Sequence, residues 1–379
     1  MKQCDIIIIG AGIYGLYLAN LEELKDKRII VLEIEKSAFK RASLINQARL
    51  HNGYHYPRSY QTASDSHKYF ERFKDEFAYA INDSFTNIYA IAKNNSLSSA
   101  TDFESFCKQV DIPLKKVDAS KFFKDDVVIS AYKTKEYTFD ANIIKNQLIQ
   151  QLNDKNVEIM YSTYIKKVSK NNEKYVLTLN NNEIIETPVV INTTYSSINC
   201  INELFGFPLY DIKYELCEIC LGKVDNEFKK YSFTIMDGDY FSIMPFSRDN
   251  NVYSLTSVHF TPHETCFDKL PNFSCQNKDN GCSRYLLKNC NSCKNKPQSQ
   301  HKQMEVLLNE FLLDEFKYEY ENSIYAIKPI MKNCEDDDAR PTIIKTLSTK
   351  PTFISCLSGK ISTIYIMKDY IANIARRWN

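Results

Sequence analysis

The chain has 379 residues, with 48 Lys plus Arg against 47 Asp plus Glu, so the net charge of +1 leaves no global field to hold a polyanion and excludes nucleic acid as the main partner. Hydrophobic residues make up 44% and charged residues 25%, and only 9 Gly and 11 Pro are present, which excludes collagen-like, Pro-rich and largely disordered classes. At roughly 150 residues per domain, two to three folding units are expected.

Lys2 ahead of an apolar N-terminus superficially resembles a signal peptide, but glycines and the acidic Glu22 and Glu23 interrupt it and no small-residue cleavage site follows. No run reaches the ~18 to 20 apolar residues of a membrane span. A cytoplasmic chain is expected, with its 12 Cys mostly reduced.

Residues 4–9 read as a short buried strand, and Ile13 to Leu24 carries apolar residues at helical spacing. Between them lies Gly10-Ala11-Gly12-Ile13-Tyr14-Gly15. A second strand over 28–32 ends at Glu33, completing a β-α-β unit. Amphipathic helices are predicted over 65–82 and 140–153, then strands at 157–159, 174–179, 184–185 and 189–191. A mainly β stretch covers about 208–262. Residues 264–300 are polar, lack periodicity and read as a mobile insertion, before helices over 304–316 and 361–377.

The glycine motif has a physical logic. Gly10 permits the tight turn out of the strand, Gly12 lets backbone approach a pyrophosphate, and Gly15 permits close helix-on-strand packing. The anion sits at the helix N-terminus, where free N–H groups and the helix dipole face it. Glu33, eighteen positions after Gly15, is placed to accept from ribose hydroxyls and to disfavour a 2′-phosphate. The motif alone does not separate FAD from NAD; its N-terminal position and the chain length favour FAD.

Ser43, Asn46 and the run Arg49-Leu50-His51-Asn52-Gly53-Tyr54-His55-Tyr56-Pro57-Arg58-Ser59 then carry a family resemblance. With the glycines and Glu33, this segment resembles the D-amino-acid-oxidase-type superfamily of FAD-dependent oxidoreductases, and within it L-2-hydroxyglutarate dehydrogenases. The resemblance implies that Ile13, Tyr14, Ser43, Asn46 and Arg49 lie along the cofactor, that Val168 stands near the adenine, and that Thr193 belongs to a strand-turn element, here Val189-Val190-Ile191-Asn192-Thr193-Thr194, beside it. The usual small residues of that turn are replaced by Asn-Thr-Thr. Ala339-Arg340-Pro341 resembles the element whose arginine holds the substrate carboxylate in amine oxidases, and Ser358-Gly359-Lys360-Ile361 resembles the turn that opens the last helix beside the flavin. Residues 234–246 and 255–263 resemble oxidoreductases encoded among surface-polysaccharide genes.

An enzyme of this kind must orient a C–H bond against the flavin and accept the proton of the neighbouring amine or hydroxyl. His51 and His55 are the candidate bases, because imidazole titrates near neutrality. Arg340 is the candidate anion holder through its planar fork, the alternative being a salt bridge to Glu335, Asp336, Asp337 or Asp338. Tyr56, Arg58, Tyr240 and Lys328 are candidate substrate-facing residues.

No metal is expected. Cys217-x-x-Cys220 falls in a predicted strand, unsuited to a metal knuckle. If a metal site existed it would come from Cys275, Cys282, Cys290 and Cys293, whose spacing is irregular. The terminal helix, ending in Arg376-Arg377-Trp378, is expected to pack on the sheet, so membrane contact is not anticipated.

The expected fold is α/β: a Rossmann-type FAD-binding domain assembled from 1–80, 140–200 and 335–379, with a second, mainly antiparallel-β substrate domain from 81–139 and 201–334 that carries the insertion. The expected function is an FAD-dependent oxidase or dehydrogenase removing hydride from a small anionic amino acid, hydroxy acid or sugar-derived metabolite, with oxygen or a carrier as electron acceptor. A flavin-binding or partner-docking protein without turnover, or an NAD-dependent dehydrogenase, is the alternative.

Overall fold

The structure, a computed structural model, describes residues 1–225, 227–246, 248–276, 281–334, 339–376 and 378. Four consecutive isoleucines form the strand Ile6–Ile9, buried on both faces as a central parallel strand requires. It pairs in parallel with Ile29–Leu32 on one side and Val189–Asn192 on the other. The six-stranded sheet runs Val157–Met160, Ile29–Leu32, Ile6–Ile9, Val189–Asn192, Thr352–Leu357, Ile343–Thr349, all parallel except the last. The order turns back at Ile6–Ile9, so a crevice opens beyond the carboxyl ends of Ile6–Ile9 and Val189–Asn192, the place where α/β sheets bind ligands.

Side-chain alternation decides what covers each face. Ile6, Ile8, Ile29 and Val31 join one core with residues of the helices Ile13–Ala19, Tyr60–Glu76, Ala141–Gln150 and Ile364–Ala375. Ile7, Ile9, Ile30 and Leu32 join another with Tyr175, Leu177, Leu179 and Ile185. These come from a four-stranded sheet of Lys2–Gln3, Ile184–Thr187, Lys174–Leu179 and Ile165–Asn171.

A nine-stranded, largely antiparallel sheet stands beside this unit. Its path is Pro262–Cys266, Ile212–Val224, Tyr253–Ser257, Phe241–Pro245, Tyr231–Met236, Thr86–Ala92, Val128–Thr134, Lys115–Val117, and Tyr318–Met331 also pairs with Ile212–Val224. Tyr231–Met236 and Thr86–Ala92 are its parallel pair. The short strands Arg49–Leu50, Tyr137–Phe139 and Ile81–Asn82 form a three-stranded sheet.

Several boundaries differ from the sequence expectation. The first helix stops at Ala19, not Leu24, because the Asn20 side chain donates to the carbonyls of Leu16 and Leu148, both at 2.9 Å, and turns the chain into the short 3-10 segment Glu22–Leu24. The second begins at Tyr60, immediately after the motif segment, and ends at Glu76. His301–Phe311 stops five residues before Phe316, and the terminal helix begins at Ile364, after Ile361 has formed part of the preceding turn. Arg377 lies outside the described residues. Ile364, Tyr365, Met367 and Ile371 are fully buried, so the apolar face of that helix is spent on the core.

The insertion departs most from expectation. Cys266 ends a strand, Leu270 is buried, and Cys266, Phe273 and Leu287 share a core with Ile198, Tyr210, Tyr214 and Leu357. Its described residues are packed, held by apolar side chains that its polar composition masks. No helix among the described residues is long and apolar enough to cross a membrane.

Candidate active site

A cleft of about 920 Å³, solvent at its mouth included, opens at the switch point and is lined by Gly10, Gly12, Glu33, Ser43, Thr193 and neighbouring residues. The glycines are dictated by contact: Gly10 has φ +103°, and a Cβ on Gly15 would lie 1.9 Å from the Gly10 carbonyl oxygen. A Cβ on Gly12 would lie 2.9 Å from the Ser43 hydroxyl, which accepts from the Ile13 amide at 2.9 Å. Ile13 itself is buried in the core, so it is its N–H and not its side chain that faces the loop. The Thr193 hydroxyl donates to the Ile9 carbonyl at 2.9 Å and closes the cleft's floor.

Glu33 is buried at the end of its strand and accepts from the amides of Ala11 at 2.7 Å and Glu35 at 2.8 Å. Burial raises its pKa, while those two donors pull the other way. A carboxylate has further lone pairs beyond the two used here, enough to accept from ribose hydroxyls as well. A glycine cradle that any Cβ would fill, a helix N-terminus and a buried acid together fit a dinucleotide.

The 43–59 segment folds away from this cleft toward a second group of residues. Asn46 shapes its bend: the side chain donates to the Ala42 carbonyl and accepts from the Ala48 amide at 2.6 Å, where Ala48 takes φ +56°. Arg49 is buried and consumed by a network, donating to Tyr89 at 2.7 Å, to Thr234 at 3.0 Å and to Ser242, with Glu136 at 3.6 Å. These partners occupy its guanidinium.

His51, His55, Tyr56 and Lys360 come together. The His51 ring is 5.6 Å from His55 and 5.4 Å from Tyr56, and the Lys360 ammonium lies 4.1 Å from the Tyr56 ring centre. Neither His51 nor His55 has a hydrogen bond at Nδ1, and His51 Nδ1 is 3.5 Å from a Glu136 oxygen. Burial, then the cations Lys360 and Arg49, hold His51 well below the ordinary imidazole value; burial, Arg49, His51 and Lys360 do the same at His55. Burial, then Arg49, brings Lys360 down to about 7. The Tyr14 hydroxyl donates to the Lys360 carbonyl at 2.8 Å, which ties this cluster to the first turn of the glycine-motif helix. Ile361 packs against the core beside it.

Arg340 approaches from the same side. A Cβ on Gly359 would meet the Arg340 carbonyl oxygen at 1.9 Å, and the Arg340 amide donates to Thr62 at 3.2 Å. Its guanidinium and Lys328 both act electrostatically on Cys217, whose thiol burial pushes up to about 11, and Arg340 also acts on Tyr195 at the cleft. Glu335, Asp336, Asp337 and Asp338 lie outside the described residues.

Other expected residues stand elsewhere. Arg58 pairs with Asp237 at 3.2 Å. Tyr240 packs on Phe311 and donates to the Asn94 carbonyl, a fold contact. Val168 packs against the core under the four-stranded sheet, and the cleft takes Thr163, Tyr164 and Ile165 from that stretch instead. The thiols of Cys275, Cys282 and Cys293 act on Cys290, which burial first pushes up to about 12. No cysteine is in a disulfide, and among the described residues no group of three or more His, Cys, Asp or Glu forms a metal site.

Sequence reading missed Tyr89, Thr234 and Ser242, which hold Arg49 from distant strands, Glu136, which lies between two strands beside Arg49 and His51, and Tyr285 to Leu287, which line the cleft. No local pattern marks them.

The family model described as "DAO: FAD dependent oxidoreductase" matches residues 5–279. No curated protein matches the chain. Similar solved structures include the L-α-glycerophosphate oxidase of Mycoplasma pneumoniae with FAD bound (TM-score 0.71, 13% identity, covering 100% of this chain and 96% of that one). Glycine oxidase from Geobacillus kaustophilus follows (0.69, 12%, 100% and 95%), as does L-proline dehydrogenase from P. horikoshii (0.70, 10%, 99% and 94%). At such identities these show a shared fold. With a family model spanning most of the sequence and a cleft built for a dinucleotide, the chain belongs to the DAO family of FAD-dependent oxidoreductases and binds FAD.

Proposed function

We propose that the protein oxidises a small anionic amino acid, hydroxy acid or sugar-derived metabolite at a C–H bond beside an amine or hydroxyl, with oxygen or a carrier as electron acceptor. The segments 1–80, 140–200 and 335–379 would form the cofactor-binding domain, and 81–139 with 201–334 the substrate domain. Glycerophosphate, glycine and proline in the names of the similar structures support a small polar substrate.

Gly10, Gly12, Gly15, Glu33, Ser43 and Thr193 would hold FAD, which when bound supplies the hydride acceptor. The observation that carries the reading is the pair of half-buried imidazoles beside a half-buried ammonium, tied to the glycine-motif helix by Tyr14. Burial keeps His51 and His55 neutral near pH 7, the form that accepts a proton. His51 is assigned the proton of the substrate heteroatom. Lys360 and Arg340 are assigned its anionic group, by point charge and by planar fork respectively. The buried Tyr56 ring packs edge-on against both imidazoles.

Anaerobic loss of the flavin band near ~450 nm on mixing with amino acids, hydroxy acids, glycerophosphate or nucleotide sugars tests the reading. Bleaching by one class, lost in His51→Asn with FAD still bound, is expected. A flavin that no member of the panel reduces overturns it.

A further inference from the structure

The insertion contributes directly to the cofactor cleft: Tyr285, Leu286 and Leu287 line it together with Gly10, Gly12 and Glu33. The segment is anchored there on both flanks. Arg41 donates to the Leu287 carbonyl and to the Glu35 carboxylate, both at 2.8 Å, and the Asn289 side chain donates to the Lys40 carbonyl at 3.1 Å. The Cys200 thiol donates to the Arg284 carbonyl at 3.2 Å. Ser283 and Leu286 exchange backbone hydrogen bonds of 3.1 Å each, leaving Arg284 and Tyr285 at the tip of a tight turn. Leu287 is buried in the core beneath it.

Tyr285 is the anomaly. Its neighbours are fastened, yet the residue is 63% exposed where it lines the cleft, with only the Arg284 guanidinium, 5.9 Å from the ring centre, recorded against its ring. The chemistry of the cleft says what lies there. A pyrophosphate belongs at the glycine turn and a ribose at Glu33, so the base lies beyond Glu33. Thr163 adjoins Glu33, its amide donating to the Glu33 carbonyl at 2.8 Å, and Tyr164 follows it. Lys288 reaches back to this place, its ammonium 5.6 Å from the Tyr164 ring. The turn bearing Tyr285 therefore borders the part of the cleft left for adenine.

We propose that Tyr285 stacks on the adenine of FAD, making the insertion a clamp on the nucleotide end of the cofactor. A planar aromatic ring offers a base a sequence-tolerant π-face, and an exposed tyrosine becomes covered when the adenine arrives. The clamp slows FAD release without touching the reacting carbon, and the inference rests on FAD binding alone, independent of the substrate proposed above.

The test uses the full holoprotein and the variants Tyr285→Ala and Tyr285→Phe. FAD release after dilution is followed by the rise of free flavin fluorescence, and apoprotein melting is recorded in parallel. The expected result is release about tenfold faster in Tyr285→Ala, equivalent to ~1.4 kcal/mol, with Tyr285→Phe near wild type and apoprotein melting unchanged. Release at the wild-type rate in Tyr285→Ala, or equal acceleration in Tyr285→Phe, overturns the proposal. Either result is read on protein that carries FAD, so it leaves the family assignment standing.

Discussion

Gly359 and Arg340 are in backbone contact: a Cβ on Gly359 would stand 1.9 Å from the Arg340 carbonyl oxygen and 2.7 Å from the Pro341 carbonyl carbon. The Gly359 amide also donates to Thr342 at 2.9 Å. The turn that presents Lys360 and the segment that presents Arg340 are thus one unit. Gly359→Ala must separate them, at a cost of ~1–3 kcal/mol typical of overpacking. A lower melting temperature and lower FAD occupancy are expected in that variant, and wild-type values for both would show that the contact relaxes freely.

Glu136 is buried beneath His51 and accepts from Tyr89 at 2.6 Å and from the Asn52 amide at 3.0 Å, with Arg49 3.6 Å away. It compensates the buried Arg49 charge, so Glu136→Gln leaves a cation without its anion. Removing one partner of a buried pair costs ~3–5 kcal/mol. Urea unfolding of Glu136→Gln should shift by that order, and an unchanged midpoint would contradict the compensation.

Lys360 sets an expected pH dependence. With its pKa brought down to about 7, it is charged below that pH and neutral above it. If it holds an anionic group, kcat/KM falls as pH rises through about 7, mainly through KM. His51, held well below its ordinary value of 6.5, stays neutral over the same range and adds no opposing limb there. Lys360→Arg, charged at every working pH, should remove the decline. A decline that persists in Lys360→Arg would assign it to another group.

Glu218 predicts an acid limb of stability. It is fully buried in the large sheet and accepts from His263 at 2.8 Å and the Gln300 amide at 2.9 Å. Burial alone would raise its pKa, but hydrogen bonds from His263, Ser299, Ser323 and the Gln300 amide outweigh it and hold the value at about 2, below the ordinary 4.5. A folded-state pKa below the unfolded one means stability fully present above about 4.5 and lost as pH falls toward 2. Melting temperatures across that window should fall less steeply for Glu218→Gln than for wild type.

Much of the cofactor half was legible because its determinants are local. Four isoleucines in a row, glycines at fixed spacing and an acid at the next strand end each act on their own neighbours, and the cleft is where they meet. Helix ends were less legible, since Asn20 stops its helix partly by reaching Leu148, a residue 128 positions away. The insertion misled for a related reason. Its polar and Cys-rich composition hides Phe273 and Leu287, which pack on strands far off in the chain.

The sequence by itself determined that a β-α-β unit with a nucleotide-binding turn opens the chain, and which histidines follow it. Only the tertiary structure decided that Arg49 is spent on Tyr89, Thr234, Ser242 and Glu136 while Lys360 joins His51, His55 and Tyr56, and that Tyr285 borders the cofactor cleft. Spacing along a strand or helix fixes which face a side chain takes, but which charge it meets there depends on segments brought across by sheet order and core packing.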